Sequence, residues 1–213
     1  AGLNSGSLTG TSGNDVFNIT AAKAVTTNAI DFTSVASVDA GDGTADEITS
    51  DIVVAAKLTG ANALNGAGID FSNIEKAGLN SGSLTGTSGN DVFNITAAKA
   101  VTTNAIDFTS VASVDAGDGT ADEITSDIVV AAKLTGANAL NGAGIDFSNI
   151  EKAGLNSGSL TGTSGNDVFN ITAANAVTTK DIGFTGVASV DAGDGTADEI
   201  TSDIAVAATL NGT

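Results

Sequence analysis

Acidic and amide side chains recur in glycine-rich turns of this chain, and their oxygens could hold a hard cation. In the turn GTSGNDVFN, Asn14 and Asp15 stand side by side just before an apolar run. In a second turn, AGDGTADEI, Asp42 and Asp46 closely follow Asp39. Ca²⁺ takes six to eight oxygen ligands at about 2.3–2.6 Å, from carboxylates and backbone carbonyls, and glycine lets the backbone curl so that carbonyls converge. Both turns are therefore candidate Ca²⁺ sites.

The second turn makes the stronger case for a cation, because three carboxylates that close together repel one another unless a positive charge lies among them. For the first turn the choice stays open between a ligand role and an ordinary turn, since Asn-Asp and Asp-Gly pairs form Asx turns without any metal. The same candidates recur along the chain. The predicted metal ligands are Asn14, Asp15, Asp39, Asp42, Asp46, Asn90, Asp91, Asp115, Asp118, Asp122, Asn166, Asp167, Asp191, Asp194 and Asp198.

A repeat of 76 residues carries these turns. Residues 1–76 and 77–152 are identical at every position, and residues 153–213 form a partial, diverged third copy. In that third copy Asn175 stands where the first copy has Lys23, and Lys180 stands where it has Asn28. Exact tandem repetition of this kind indicates a stacked repeat architecture.

Short strands must position the turns. Within one copy an Asp precedes an apolar run at Asp15, Asp31, Asp51 and Asp70, which divides the copy into quarters of roughly 19 residues. The runs are rich in Val, Ile, Phe and Thr and are separated by Gly, Asn and Asp clusters, as in chains of strands and turns. Helical patterns are weak because β-branched residues and glycines interrupt them. The chain is predicted to be all-β.

Two architectures fit many short strands at regular spacing, a row of small β-sandwich domains or one continuous solenoid. Identical neighbouring domains would exchange strands with one another. In a solenoid this equivalence does no harm, because equivalent strands stack on one another as part of the fold. We expect one parallel β-solenoid, similar to a β-roll or β-helix, with about four rungs per 76-residue copy. At about 4.8 Å per rung each copy would add about 19 Å. The recurring Phe17, Phe32 and Phe71 are expected in its core.

Residues 10–18 match the nonapeptide G-G-x-G-x-D-x-U-x at every defined position except the second, where Thr11 replaces Gly. The second turn matches less well, with Ala40 in the first place and one residue inserted before Asp46. The chain thereby resembles the RTX family of secreted calcium-binding repeat proteins, and more closely the giant repetitive surface and surface-layer proteins with degenerate motifs. That resemblance implies a parallel β-roll with Ca²⁺ between successive turns. The motifs here are spaced more widely than in true RTX blocks.

Composition excludes several classes of function. With 25 Asp and Glu against 7 basic residues, the net charge is −18, which repels nucleic acid and anionic membranes and favours divalent cations. The chain has no His, Cys or Arg, so nucleophile activation and phosphate recognition lack their usual side chains. No apolar run is long enough for membrane insertion. Since the sequence opens on AGLNSG without an initiator Met, we expect a piece of a longer protein.

The leading expectation is therefore a non-enzymatic structural segment of a secreted, calcium-stabilised surface or matrix protein of bacterial type, located outside the cell. It would build a fibre, stalk or surface layer by stacking on further copies of itself, and cell-surface polysaccharide is a further candidate partner. The alternative is a calcium-dependent folding or secretion module of a larger RTX-type enzyme, toxin or adhesin. Hundreds of further copies in the gene would favour the first, and a neighbouring catalytic domain the second.

Overall fold

Strands and turns account for the whole described structure. The computed structural model describes residues 1–206, and within that range no segment is helical. Backbone hydrogen bonds connect all 21 strands into one wound sheet. The stacking is that of a parallel β-solenoid of about six turns, which confirms the predicted fold class.

The strand pattern repeats in each copy. The first copy contains β1 Gly2–Thr9, β2 Val16–Ala21, β3 Ala24–Thr27, β4 Ile30–Asp39, β5 Glu47–Ser50, β6 Ala55–Gly60, β7 Ala63–Gly66 and β8 Ile69–Ser72. The next eight are β9 Lys76–Thr85, β10 Val92–Ala97, β11 Ala100–Thr103, β12 Ile106–Asp115, β13 Glu123–Ser126, β14 Ala131–Gly136, β15 Ala139–Gly142 and β16 Ile145–Ser148. The last five are β17 Lys152–Thr161, β18 Val168–Ala173, β19 Ala176–Thr179, β20 Ile182–Asp191 and β21 Glu199–Ser202.

Six long strands, β1, β4, β9, β12, β17 and β20, each turn a corner between two faces of the rod. In β9 the first two residues pair with β5, whereas residues 83–85 pair with β6. The corner lies at Asn80 and Ser81, whose φ angles are 52° and 64°. Just after it, a Cβ added to Gly82 would lie 1.8 Å from the Val54 carbonyl oxygen, so only glycine fits. We call the face with β2, β3 and β5 the first face, and that with β6, β7 and β8 the second.

Antiparallel meanders fill the space between the long strands. On the first face β2, β3 and β4 pair antiparallel, and on the second β6, β7 and β8 do the same. The second tight turn of each meander has positive φ at both central residues, 48° and 59° at Asn28 and Ala29 and 52° and 76° at Ala67 and Gly68. Such primed turns match the right-handed twist of the strands they join.

Because of the meanders, the number of turns per copy differs from the four rungs predicted from the sequence. Because β2 with β3 and β6 with β7 fold back antiparallel, each copy makes about two turns of the rod rather than four, with one long strand in each turn. In the second copy the first face carries β9, β12, β11, β10 and β13, which is five strands. Five strands at about 4.8 Å give about 24 Å of rod per copy, rather than the expected 19 Å.

Alternation of side chains along each strand builds the core between the two faces. In β6, Ala56 and Leu58 point inward and are buried, while Lys57 is exposed. Phe17 and Phe71 are buried as predicted. Phe32 is only partly buried, whereas its counterpart Phe108 is 1% exposed. Phe32 lies in the first turn that residues 1–206 describe, and these residues contain no strand before β1 that could pack against it.

The boundary between copies is an ordinary strand pairing. Ile48 of β5 pairs with Ala77 of β9, and Ile124 of β13 pairs in the same way with Ala153 of β17. The register of the second copy on the first therefore equals that of the third copy on the second. Within residues 1–206 the copies form a single rod without a linker between them.

Candidate functional site: a buried ladder of carboxylates

Three acidic residues of each full copy stand immediately before strands of the first face. Asp15 precedes β2, Asp46 precedes β5 and Glu75 precedes β9. Since β2, β5 and β9 are parallel neighbours, their starting points lie next to one another along the rod. We call this stack the carboxylate ladder. Its members are Asp15, Asp46 and Glu75 in the first copy, Asp91, Asp122 and Glu151 in the second, and Asp167 and Asp198 in the third.

Within a copy, the second and third carboxylates of the ladder each accept a hydrogen bond from the backbone of the member before it. The N–H of Asp15 donates to Asp46 Oδ1 at 2.7 Å, and the N–H of Asp46 donates to Glu75 Oε2 at 2.9 Å. The second copy repeats the two bonds at 2.7 and 2.8 Å. In the third, the N–H of Asp167 donates to Asp198 Oδ1 at 2.9 Å. These bonds thus connect the turns that begin β2, β5 and β9, and their equivalents in the later copies, while β12 and β11 separate Glu75 from Asp91.

Neutral donors serve the two ends of the ladder in the first copy. Asp15 Oδ2 accepts from the Thr11 N–H at 2.6 Å and from Thr11 Oγ1 at 2.9 Å. At the other end, Glu75 Oε1 accepts from Asn62 Nδ2 at 3.2 Å. The end carboxylates of the first copy therefore have hydrogen-bond partners of their own.

The middle carboxylate is the most deeply buried and the least satisfied. Asp46 and Asp122 are 0% exposed, and the Oδ2 atom of each has no hydrogen-bond partner. Gly43 packs against this atom, because a Cβ added to Gly43 would lie 2.6 Å from Asp46 Oδ2. A buried charged oxygen without a partner is costly. Either a proton or a cation would relieve that cost.

The burial of Asp122 also changes the pKa of its carboxyl group. Burial raises the pKa of the Asp122 carboxyl above its ordinary value, and the nearby negative charges of Glu151, Asp91 and Asp115 add to the increase. The hydrogen bond from the Asp91 backbone opposes it without cancelling it. The neutral acid is therefore favoured at Asp122 relative to a carboxylate in water.

The remaining predicted ligands of the first copy shape the turns. Asn14 Oδ1 accepts from the N–H groups of Thr44 and Ala45, both at 3.2 Å, and so holds the loop of the next turn. Asp39 Oδ1 accepts from the Gly41 N–H at 3.2 Å and from Asn73 Nδ2 at 2.8 Å. Asp42 is exposed. The structure thus joins Asp15 to Asp46, while the Asp39 carboxylate is bonded to its own turn and to Asn73.

The other copies repeat this placement. Asn90 and Asn166 bind the loop backbone as Asn14 does, and Asp118 and Asp194 are exposed. Asp115 and Asp118 line a surface crevice of about 170 Å³ together with Lys57 of the preceding copy. A matching crevice of about 160 Å³ contains Asp191, Asp194 and Lys133. The exposed predicted ligands of the second and third copies therefore lie in two crevices with equivalent linings.

Sequence reasoning missed several residues of the ladder. Glu75 and Glu151 were not predicted, although each stands directly before a strand, as Asp15 and Asp46 do. Thr11 and Thr87 bind the first carboxylate of their copies. Lys180 reaches Asp167 in the third copy. An acidic residue just before each apolar run was the available signal, and it required knowing which strands are neighbours.

The arrangement has clear limits as a metal centre. Among residues 1–206, no three acidic side chains come together as a metal-binding group. Calcium ligation by the predicted residues therefore stays a prediction. The feature that fits a cation is the unpartnered, buried Oδ2 of Asp46 and of Asp122, since carboxylate oxygen is the ligand that Ca²⁺ prefers.

Compared with known proteins, the chain matches no family model, no curated protein and no solved structure. None of the residues that the structure describes belongs to a helix long and apolar enough to cross a bilayer.

Proposed function

We propose that the chain is a structural segment of a secreted surface or matrix protein, which builds a calcium-stabilised fibre, stalk or surface layer by stacking repeats and by associating with further copies of itself. Its work would be mechanical and spatial rather than catalytic. The same surface, presented again in every copy, suits a lattice or fibre better than a reaction that needs one asymmetric cleft.

The observation that carries this proposal is the junction between copies. Ile48 pairs with Ala77 and Ile124 pairs with Ala153, so the third copy sits on the second as the second sits on the first. Any number of identical copies could be added in this register without changing the strand pairing of the ones before. A chain with that property can set a distance simply through its number of repeats.

The proposed role of calcium is supported by the negative charge of the chain and of its buried carboxylates. The chain carries 25 acidic residues against 7 basic ones, and Asp46 and Asp122 each bury a carboxylate oxygen without a partner. When bound, Ca²⁺ would supply positive charge beside the unpartnered Oδ2 atoms of Asp46 and Asp122. Secretion and surface location are supported by the resemblance of the turn at 10–18 to RTX motifs.

Two measurements test the proposal. Immunogold labelling of intact source cells should place the protein on the cell surface or in the extracellular matrix, and labelling that appears only after permeabilisation would contradict this location. Negative-stain electron microscopy of the purified chain in Ca²⁺ should show rods that join into longer filaments or sheets. Single short rods at every protein concentration would argue against self-association.

A further inference from the structure

The third copy carries the lysine of its first-face meander at a different place from the other copies. In the second copy, Lys99 lies in the turn between β10 and β11, and Asn104 lies in the turn between β11 and β12. The third copy has Asn175 and Lys180 at these two positions. The meander therefore keeps one lysine, but the positive charge has moved from one turn to the other.

The move brings the positive charge from the surface to the carboxylate ladder. Lys99 is exposed, and its side chain packs over Gly144, since a Cβ added to Gly144 would lie 3.6 Å from Lys99 Cγ. The ammonium of Lys180 instead lies 2.8 Å from Oδ1 of Asp167, the buried first carboxylate of the third ladder. The third copy thus places its lysine against a buried anion.

The backbone that carries Lys180 is the same as in the second copy. The φ angle is 48° at Asn104 and 47° at Lys180. The preceding second-face meander holds both turns, because the Asn62 N–H donates to the Asn104 carbonyl at 2.9 Å and the Asn138 N–H donates to the Lys180 carbonyl at 2.9 Å. The turn of the second copy can therefore accommodate a lysine next to Asp91 without a change of backbone.

The second copy serves the equivalent carboxylate with neutral groups. Asp91 is 5% exposed. Its Oδ1 accepts from the Asn104 amide at 3.4 Å, and its Oδ2 accepts from the Thr87 N–H at 2.7 Å and from Thr87 Oγ1 at 2.9 Å. These donors leave the negative charge of Asp91 without a cation from its own turn.

We propose that the Lys180 ammonium replaces a bound cation in the third copy, so that the ladder of this copy is stable without the Ca²⁺ on which the first two copies depend. The inference rests on the proposed calcium stabilisation and specifies which copies need the ion. In a chelator the first two copies would loosen, while the third copy would keep the protection that it has in Ca²⁺.

A positive charge beside the first carboxylate also acts on the second one. In the second copy the Asp91 N–H donates to Asp122 Oδ1 at 2.7 Å, so the two carboxylates are neighbours. Among residues 1–206, the buried Oδ2 of Asp122 has no partner. Like charges at this distance disfavour each other's ionised form, and an opposite charge favours it. A lysine next to Asp91 would therefore relieve both carboxylates, as Ca²⁺ is proposed to do.

A transplant of the third-copy arrangement into the second copy tests the proposal. Lys99→Asn with Asn104→Lys leaves the composition and the net charge of the chain unchanged. Hydrogen exchange is measured by mass spectrometry in Ca²⁺ and in EGTA. Chelation should speed exchange in β10 and β13 of the parent by about tenfold or more, and in the transplant by no more than about threefold. Strands β2 and β5 of the unaltered first copy should respond to EGTA in both proteins.

Two controls separate the charge from its side effects. Lys99→Asn alone removes the surface lysine, and Lys99→Asn with Asn104→Met adds a long side chain without a charge. Both should respond to EGTA as the parent does. If the methionine variant is protected as well as the lysine variant, packing rather than charge explains the effect and the proposal is overturned.

The reverse exchange gives the third copy the arrangement of the second. Asn175→Lys with Lys180→Asn should make β18 and β19 as sensitive to EGTA as β10 and β11 are in the parent. A third copy that ignores EGTA in this variant as well would overturn the proposal.

The outcomes also distinguish this inference from the proposed function. A parent that responds to EGTA, together with a transplant that responds equally, would refute the role of Lys180 and retain calcium stabilisation. A parent whose strands exchange at the same rate in Ca²⁺ and in EGTA would refute both.

Discussion

Lys180 Nζ lies 2.8 Å from Asp167 Oδ1, and this ion pair distinguishes the third copy from the other two. Asp167 is 0% exposed. At the equivalent position of the second copy, Asn104 Nδ2 reaches Asp91 Oδ1 only at 3.4 Å. The third copy thus neutralises the first carboxylate of its ladder with a side chain of its own, where the second copy offers a neutral amide.

Removing this internal cation should destabilise the third copy. Lys180→Ala leaves a buried carboxylate oxygen without its cation, and breaking a buried pair in this way costs about 3 kcal/mol. Lys180→Asn restores the amide of the second copy and should cost less, about 1 kcal/mol. Urea unfolding at pH 7, followed by circular dichroism, measures both. Equal stability of the alanine variant and the parent would show that the pair contributes nothing.

The stabilisation from Asp167 should be lost in acid. Burial alone would raise the pKa of Asp167, but the Lys180 ammonium and the Thr163 donors outweigh it, so the folded pKa lies below the ordinary value of 3.8. A depressed carboxyl pKa stabilises the fold above the unfolded value and ceases to do so as the pH falls through the folded one. The stability gap between parent and Lys180→Ala should therefore be full at pH 6 and shrink below pH 4. A gap that persists undiminished at pH 2 would contradict this account.

Asp122 should behave in the opposite sense. Because burial raises its folded pKa, the charged form weakens the fold at neutral pH, and the penalty is relieved as the pH falls through the raised pKa towards 3.8. In a chelator, Asp122→Asn should therefore melt at a higher temperature than the parent at pH 7, with the difference shrinking towards pH 4. Differential scanning calorimetry across this pH range measures the effect. A variant that is less stable than the parent at pH 7 in chelator would refute it.

Calcium should reverse the sign of that substitution. Ca²⁺ at a hundredfold excess over its Kd stabilises the folded form by about 2.7 kcal/mol per site, so the parent should melt higher in Ca²⁺ than in chelator. If ladder carboxylates bind the ion, Asp46→Asn with Asp122→Asn removes this gain and becomes destabilising in Ca²⁺. Asp42→Asn with Asp118→Asn is the matched control at exposed positions, of which Asp118 lines a crevice. Loss of the gain in the control pair alone would move the site to the crevice, and identical melting with and without Ca²⁺ would refute calcium stabilisation.

The corner of β9 should tolerate no side chain at Gly82. Gly82→Ala would place a Cβ 1.8 Å from the Val54 carbonyl oxygen, and the backbone shift that this requires should cost about 3 kcal/mol. Gly60→Ala is the control, because a Cβ there meets no other atom within 4 Å. The control should be neutral or stabilising by up to about 1 kcal/mol. Equal unfolding midpoints for the two variants would show that the corner can relax.

Local patterns predicted the strands well and their pairing less well. The runs after Asp15 and Asp70 are strands β2 and β8, and their phenylalanines are buried. The run after Asp51 becomes a strand only from Ala55 onward. Equal spacing of the Asp residues suggested equal rungs, but the positive φ angles at Asn28 and Ala29 reverse the chain instead. Spacing alone does not distinguish a strand that advances along the rod from one that folds back.

Sequence patterns likewise predicted some residues of the carboxylate ladder and missed others. Asp15 and Asp46 were predicted as candidate ligands, and the structure does bring them into contact. Their partner Glu75 was missed because it belongs to the ladder only through the pairing of β5 with β9, which spans 29 residues of sequence. Asn14 was an open choice between ligand and turn former. In the structure its side chain binds backbone N–H groups of the next loop, an Asx role taken across turns rather than within one.

The strand order from β1 to β21 gives the rod an unusual response to tension. The two ends of the described chain lie at opposite ends of the stack, so a pull along the axis loads the hydrogen bonds between strands one row at a time rather than shearing many together. Two turns share 76 residues, and the 38 residues of one turn reach about 130 Å when fully extended. Folded, that turn occupies about 12 Å of the rod. Each turn that unfolds under load would therefore lengthen the chain by about ten times the length that the turn occupied in the rod. The protein would then behave as an extensible tether.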